Sequence, residues 1–256
     1  MAIITLLTDF GLKDPYAGVM KGVILVIDPS VAVVDITHEV EPQDVVEAAF
    51  LVEEYVPFFP AGTVHVCVVD PGVGSDRRAL VVSSADQFFV GPDNGIFSLV
   101  MGQGFEAFAI KNPACTLKDI SSTFHGRDVF APAAAHLSLG LSPLRLGPRV
   151  TDPVLLPNLQ PVIEGDTLHG RVIRFDHFGN AITNISRKGV DAFASGRVYV
   201  VEAGGKLFTA LSRSYFEHDF TCVVGSSGYL EFGFFKGSFQ RKTGVKKGDA
   251  VVMRLR

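Results

Sequence analysis

Aspartates crowd the ends of three consecutive apolar runs. Thr8-Asp9-Phe10-Gly11, with Asp14 shortly after, ends the first; Asp35-Ile36-Thr37-His38 ends the second; Asp70-Pro71-Gly72-Val73-Gly74 ends the third. Asp9 and Asp14 either cap a following helix, a position Asp favours, or pair as carboxylates that hold ribose hydroxyls or an ammonium group. Asp-Pro-Gly is a common turn signal, yet a wholly apolar run delivers Asp70, and Arg77-Arg78 follows within reach of the same loop. A nearby Arg can keep a carboxylate ionised. In Thr123-Phe124-His125-Gly126-Arg127-Asp128, His125 stands beside a glycine that permits close approach of backbone and ligand. A His so placed can orient water or exchange protons, while Asp128 alone reads as a helix N-cap.

Other polar segments read two ways. Gly91-Pro92-Asp93-Asn94-Gly95 is either a loop turn or a backbone surface for a ligand. Asp176-His177-Phe178-Gly179-Asn180 and Gly225-Ser226-Ser227-Gly228-Tyr229 each join two strand runs and are denser in polar side chains than a turn requires. His65 falls in an expected strand, His136 in a helix, and His169 and His218 in loops, where packing or solvent accounts for them. His38 with Asp35, Glu39, Asp9 and Asp70 lacks a compact ligand spacing, so no metal is expected.

The elements that must position these residues change character along the chain. Up to about residue 140, strand-type runs (3–8, 32–36, 63–69, 80–83, 87–90 and 107–110) alternate with helix-type runs (16–27, 44–55 and 128–139). In the second helix Val45, Ala48, Ala49 and Val52 share one face and Asp44 is placed to cap it. Pro132 is tolerated in the third only because it lies in the first turn. Prolines then recur at 143, 148, 153, 157 and 161, a texture read as a connector. Beyond it, short β-type runs (168–175, 181–185, 197–201, 221–224, 229–234 and 250–255) are separated by glycine-containing turns. The expected architecture is an amino-terminal α/β domain with a central, mostly parallel sheet (1–150), a connector (151–164) and a smaller all-β barrel (165–256).

Composition narrows the classes. With 47% hydrophobic and 20% charged residues the chain should fold fully. A net charge of −4 without a long basic run argues against nucleic acid. No apolar run reaches the ~20 residues that span a bilayer, and the first residues read as a strand rather than a signal peptide. Three separated cysteines suggest neither disulfides nor a thiolate metal cage, so cytoplasm is the expected location.

Seven of these segments together resemble the S-adenosyl-L-methionine (SAM) hydroxide adenosyltransferases, or SAM hydrolases, relatives of the fluorinating and chlorinating SAM enzymes. They are 8–11, 34–38, 69–74, 91–95, 124–128, 176–180 and 226–230. The resemblance implies hydrolysis of SAM to adenosine and L-methionine by in-line attack of water at C5′ of the ribose. It implies no cofactor, and a homotrimer whose sites lie between one subunit's amino-terminal domain and its neighbour's barrel. It places Asp70, Arg77 and His125 as the catalytic triad, Asp9 on the ribose, and Asp14, Asp176 and Ser226 on the methionine. Asn180, with Phe178 packing nearby, is placed on the adenine, and Phe124 and Gly126 at the substrate. Halogenating relatives carry Tyr in place of Asp70, so Asp70 implies water as the nucleophile. Gly225 and the run Phe234-Phe235-Lys236-Gly237 depart from the usual pattern. The alternatives are a SAM- or adenosine-binding protein without turnover, a chlorinating enzyme and a metal-dependent hydrolase.

Overall fold

The computed structural model describes residues 2–256, which fall into two compact units, Met1–Leu156 and Pro157–Arg256. The division lies within the proline-rich stretch.

Unit 1 contains β1 (Ile3–Thr8), β2 (Ala32–Thr37), β3 (Val64–Val68), β4 (Ala79–Ser84), β5 (Gln87–Pro92), β6 (Glu106–Ala109) and β7 (Arg149–Val150). They form one sheet in the order β2-β1-β3-β5-β4-β6-β7. The first four strands of that order pair in parallel, and the other three pairings are antiparallel. The reversal follows from the tight β4–β5 hairpin, whose two central residues, Ala85 and Asp86, have φ of 49° and 60°, the left-handed pair that two-residue hairpins need. Side chains alternate across the sheet. Ile4, Leu6, Val64 and Val66 enter a core with Met20 and Ile24 of α1 (Tyr16–Ile27). Leu7, Cys67 and Val69 enter another with Ala48 and Val52 of α2 (Val45–Tyr55). Asp44 caps α2 as expected, accepting from the Glu47 amide at 2.8 Å.

The third helix departs from the expectation in a way that shapes the site. The chain enters it at Gly126 through a π-helical turn, Gly126–Phe130, before α3 (Ala131–Ser138). Pro132 brings no N–H to the Asp128 carbonyl four residues earlier, and that carbonyl instead accepts from the Leu117 amide at 2.8 Å. Nor is Asp128 an N-cap. Fully buried, it accepts from the Ser121 amide at 2.7 Å and from Arg127 Nε at 2.5 Å and Nη2 at 3.0 Å.

Unit 2 is an antiparallel, nearly closed barrel of eight strands. They are β8 (Val162–Glu164), β9 (Thr167–Phe175), β10 (Ala181–Ser186), β11 (Tyr199–Ala203), β12 (Lys206–Phe208), β13 (Phe220–Val224), β14 (Tyr229–Phe234) and β15 (Ala250–Leu255). The order is β12-β11-β15-β9-β10-β14-β13, with β8 on β9. At the two ends of that order, the Lys206 ammonium of β12 lies 4.3 Å from the ring centroid of Phe220 on β13. Ser186 and Ser238 cap α4 (Arg187–Ala194) and α5 (Phe239–Thr243). His169, read as a loop residue although it falls within the expected 168–175 run, lies on β9 opposite Val252 of β15.

Candidate functional site

In unit 1 the strand ends open into a cleft of about 410 Å³ lined by Asp9, Phe10, Asp70, Phe124, His125 and Gly126, among others. Such crevices form beyond the carboxyl ends of parallel strands, where the backbone leaves the sheet. The adjacent arginines diverge. Arg77 grips Asp70 with both arms of its fork, Nε to Oδ1 at 2.8 Å and Nη2 to Oδ2 at 2.5 Å. Arg78 turns away to Asp93 at 2.6 Å and Asp152 at 2.7 Å. The Asp70 and Arg77 side chains retain only 5% and 10% of their exposure, so this pair is shielded from solvent and salt.

Arg77 also sets the state of His125. Its Nη2 lies 2.7 Å from His125 Nδ1. A guanidinium donates and never accepts, so Nδ1 is the acceptor and the ring proton of the neutral imidazole sits on Nε2. Desolvation and the Arg77 charge both press the His125 pKa below its ordinary value, against the opposing pull of Asp70 and Asp128. Arg77 Nη1 donates to the Arg78 carbonyl at 3.2 Å, and its guanidinium carbon lies 5.3 Å from the Phe130 ring centroid. Every arm of the side chain is thereby fixed.

Close loop packing brings the parts together. A Cβ on Gly74, whose φ is +78°, would lie 2.3 Å from the Ser122 carbonyl, so only glycine lets the Asp70 loop lie against the segment leading to His125. Gly126 is similarly confined by Met20, Phe124 and Phe10, at 3.1 to 3.4 Å from a notional Cβ. Phe10, Tyr16 and Phe124 meet edge to face with centroids 5.2 to 5.8 Å apart. Tyr16 carried no sequence signal that set it apart from core aromatics, and Phe10 was marked only as part of the 8–11 segment.

The helix-capping reading of Asp9 and Asp14 does not hold, because α1 has no side-chain cap. Asp9 lines the cleft and accepts from the Gln43 amide at 2.8 Å. Asp14 is exposed and lies outside the cleft lining. Gly91-Pro92-Asp93-Asn94-Gly95 is structural: Asp93 binds Arg78 and the Val154 amide, and Asn94 Nδ2 donates to the Val69 carbonyl at 2.8 Å, steadying the residue before Asp70. His38 is buried and pairs with Thr8 Oγ1 at 2.8 Å. Among the described residues no group of three or more His, Cys, Asp or Glu side chains is arranged to hold a metal ion.

Unit 2 has its own cleft, of about 660 Å³, along the 176–180 loop, Tyr215 and the 234–238 segment. Asp176 organises that loop. Its Oδ1 accepts from the Phe178 and Asn180 amides at 2.9 and 2.8 Å, and its Oδ2 from Asn180 Nδ2 at 2.9 Å. Phe178 is left 73% exposed at the cleft, while Asn180 is nearly buried in its wall. Ser226 sits on an exposed turn outside that lining. Tyr215 and Arg241 also line the cleft without any motif having singled them out.

Comparison with known proteins places both units. Residues 4–147 match the SAM hydroxide adenosyltransferase N-terminal domain and residues 170–252 the C-terminal domain. The chain is 42% identical over 257 aligned residues to an (R)-S-adenosyl-L-methionine hydrolase of Thermus thermophilus, covering 96% of each. It is 33% identical to a protein of that name from Methanocaldococcus jannaschii, covering 97% of this chain and 94% of that one. A fluorinase of an Actinoplanes species is 29% identical over 76% of this chain and 75% of its own. A solved structure of an uncharacterized conserved protein from Thermotoga maritima superposes with a TM-score of 0.90 at 39% identity, over 98% of this chain and 99% of that one.

Proposed function

The chain belongs to the SAM hydroxide adenosyltransferase family, and from that premise we propose that it hydrolyses S-adenosyl-L-methionine to adenosine and L-methionine. The observation that carries the mechanism is the linked Asp70–Arg77–His125 array in a cleft that Asp9 also lines. A sulfonium departs as a neutral thioether, so the leaving group needs no general acid, and a weak nucleophile is the remaining difficulty. Water attacks C5′ opposite sulfur; the new C–O bond forms as the C–S pair leaves with methionine, and one water proton is released.

Each residue then has a task. Asp70, with Arg77 on one edge of its carboxylate, accepts from the attacking water through its remaining lone pairs. His125 supplies the Nε2 proton that holds the water oxygen in line. Arg77 fixes both groups and favours hydroxide-like character by its charge. Fixed orientation and exclusion of bulk water supply much of the acceleration, and positioned proton acceptors typically add ~10²–10⁴-fold. Asp9 holds the ribose hydroxyls, and Phe124 and Gly126 shape the wall beside them.

The barrel cleft receives the remainder of the substrate, with Phe178 and Asn180 at the adenine and Asp176 at the methionine, while Ser226 and Asp14, outside the cleft linings, are further methionine contacts. A homotrimer brings the unit 1 cleft of one subunit to the barrel of a neighbour, a reading supported by the exposed aromatic edge at Phe178. The enzyme works without a cofactor or metal in the cytoplasm and has no nucleic-acid partner. Incubation with SAM and chromatography of the products tests this reading. Adenosine and methionine in equal amounts, at a rate unchanged by a chelator, are expected. SAM recovered intact would leave a binding protein, 5′-chloro-5′-deoxyadenosine formed in chloride would make it a halogenating enzyme, and chelator-sensitive turnover would make it a metal-dependent hydrolase.

A further inference from the structure

Behind the barrel cleft lies a buried carboxylate to which none of these roles belongs. Glu231 sits in β14 opposite Val223 of β13 and Ile182 of β10. Its neighbours Leu230 and Phe232 point into the barrel core, so Glu231 faces the other side of the sheet, yet it is only 6% exposed. A carboxylate so buried is costly unless hydrogen bonds compensate it. Its Oε1 accepts from the Tyr215 hydroxyl at 2.7 Å. Its Oε2 occupies space that a side chain at residue 225 would take, 2.2 Å from a notional Cβ on Gly225.

These two contacts lead to the cleft wall and to the turn that carries Ser226. Tyr215 is part of the cleft wall. Its ring and the Asn180 amide oxygen converge over Gly233, at 2.9 and 3.1 Å from a notional Cβ there. Gly225 begins the turn that carries Ser226, closed by the Gly225 amide on the Tyr229 carbonyl at 2.9 Å and the Gly228 amide on the Gly225 carbonyl at 3.0 Å. One buried carboxylate therefore touches an aromatic wall of the cleft and the turn beside it. Burial and Glu231 together push the Tyr215 phenol well above its ordinary pKa, which keeps the hydroxyl a donor.

We propose that Glu231 is a positioning residue for the nucleoside end of the substrate: it fixes the Tyr215 wall of the barrel cleft against Asn180, and Gly225 is the residue that admits it. This rests on the reading that the barrel cleft receives the adenine of SAM. Glu231 touches no reacting atom, so its removal should weaken binding without slowing the chemical step.

Full-length protein carrying Tyr215→Phe, Gly225→Ala, Glu231→Ala, or Gly225→Ala with Glu231→Ala is assayed for kcat, KM for SAM and Kd for adenosine. Tyr215→Phe removes one hydroxyl and little volume, so it tests the proposal even if the Glu231 variants fold poorly. About a tenfold rise in KM and in adenosine Kd, with kcat within twofold, is expected for each single variant. Gly225→Ala should add nothing in the Glu231→Ala background, where the colliding carboxylate is gone. A merely structural role would lower the melting temperature and leave KM and Kd within twofold of the parent, and that result overturns the proposal. So does a loss confined to kcat. If the parent binds adenosine but leaves SAM intact, the hydrolase reading fails while the Kd values still decide the role of Glu231; if it binds neither, both fail.

Discussion

Replacing Arg77 by Lys keeps a positive charge but removes the fork. The guanidinium makes three contacts within the array: Nε and Nη2 to the two oxygens of Asp70 at 2.8 and 2.5 Å, and Nη2 to His125 Nδ1 at 2.7 Å. A Lys ammonium is a single point of donation on a flexible stem and cannot reproduce that planar geometry. It can keep one of these partners and loses the other two contacts. A hydrogen bond to a charged group is worth ~1.5–3 kcal/mol, and the site is nearly buried, so little is recovered by solvent. If roughly 3–4 kcal/mol of that positioning is expressed in the transition state, kcat falls about 150- to 1,000-fold. His125 is also released from its enforced tautomer, and ¹⁵N chemical shifts should change from one Nε2-protonated form to a mixture. The assay is adenosine formation under saturating SAM, with the melting temperature measured alongside to exclude unfolding. A kcat within threefold of the parent, in a protein that melts normally, would refute the claim that the fork organises the nucleophile.

Three further outcomes follow from geometry elsewhere in unit 1. Gly74→Ala places a Cβ 2.3 Å from the Ser122 carbonyl in a backbone conformation with φ of +78°. Strain of that kind costs ~1–3 kcal/mol, and prising the two loops apart should cut kcat at least tenfold; a variant with parental activity would show that the loop approach does not matter. Asp128→Ala leaves the Ser121 amide and Arg127 without their buried acceptor, so unfolding in denaturant should show a loss of ~2–4 kcal/mol. His65 is wholly buried among Tyr55, Phe59 and Phe89, and desolvation lowers its pKa from 6.5 to about 4. Between these values the unfolded chain binds a proton that the folded one refuses, so stability is full above about pH 6.5 and declines as pH falls towards 4, by roughly 3 kcal/mol in all. His65→Phe should flatten that part of the stability–pH curve, and an unchanged slope would assign the acid sensitivity to other groups.

Much of the architecture follows from local chemistry that a linear chain displays. The spacing of Val45, Ala48, Ala49 and Val52, with Asp44 before them, specifies α2 and its cap. The apolar run from Ile3 to Thr8 specifies β1 because alternate residues must enter the cores on both sheet faces. The same is true of Asp70, His125 and Asp9, whose positions at the ends of apolar runs or beside glycine already mark them as candidates. Dihedral preference, side-chain period and capping act over a few residues, so they are legible without the fold.

What only tertiary structure decided are choices among equally plausible partners. Arg77 and Arg78 are adjacent and chemically identical, yet one joins Asp70 to His125 and the other ties Asp93 to Asp152. Asp128 looked like a cap and became a buried anchor, because the chain enters the third helix through a π-helical turn at Gly126. Glu231 and Tyr215, 16 residues apart, carried no signal until the barrel closed one over the other. The turn at Asp70 stood out in the sequence as a candidate reaction centre, with an ordinary Asp-Pro-Gly turn as the other reading. That its carboxylate is gripped by a fork, and that the same fork dictates which nitrogen of His125 bears the proton, depends on two loops meeting 48 residues apart, with Gly74 leaving room for them to touch.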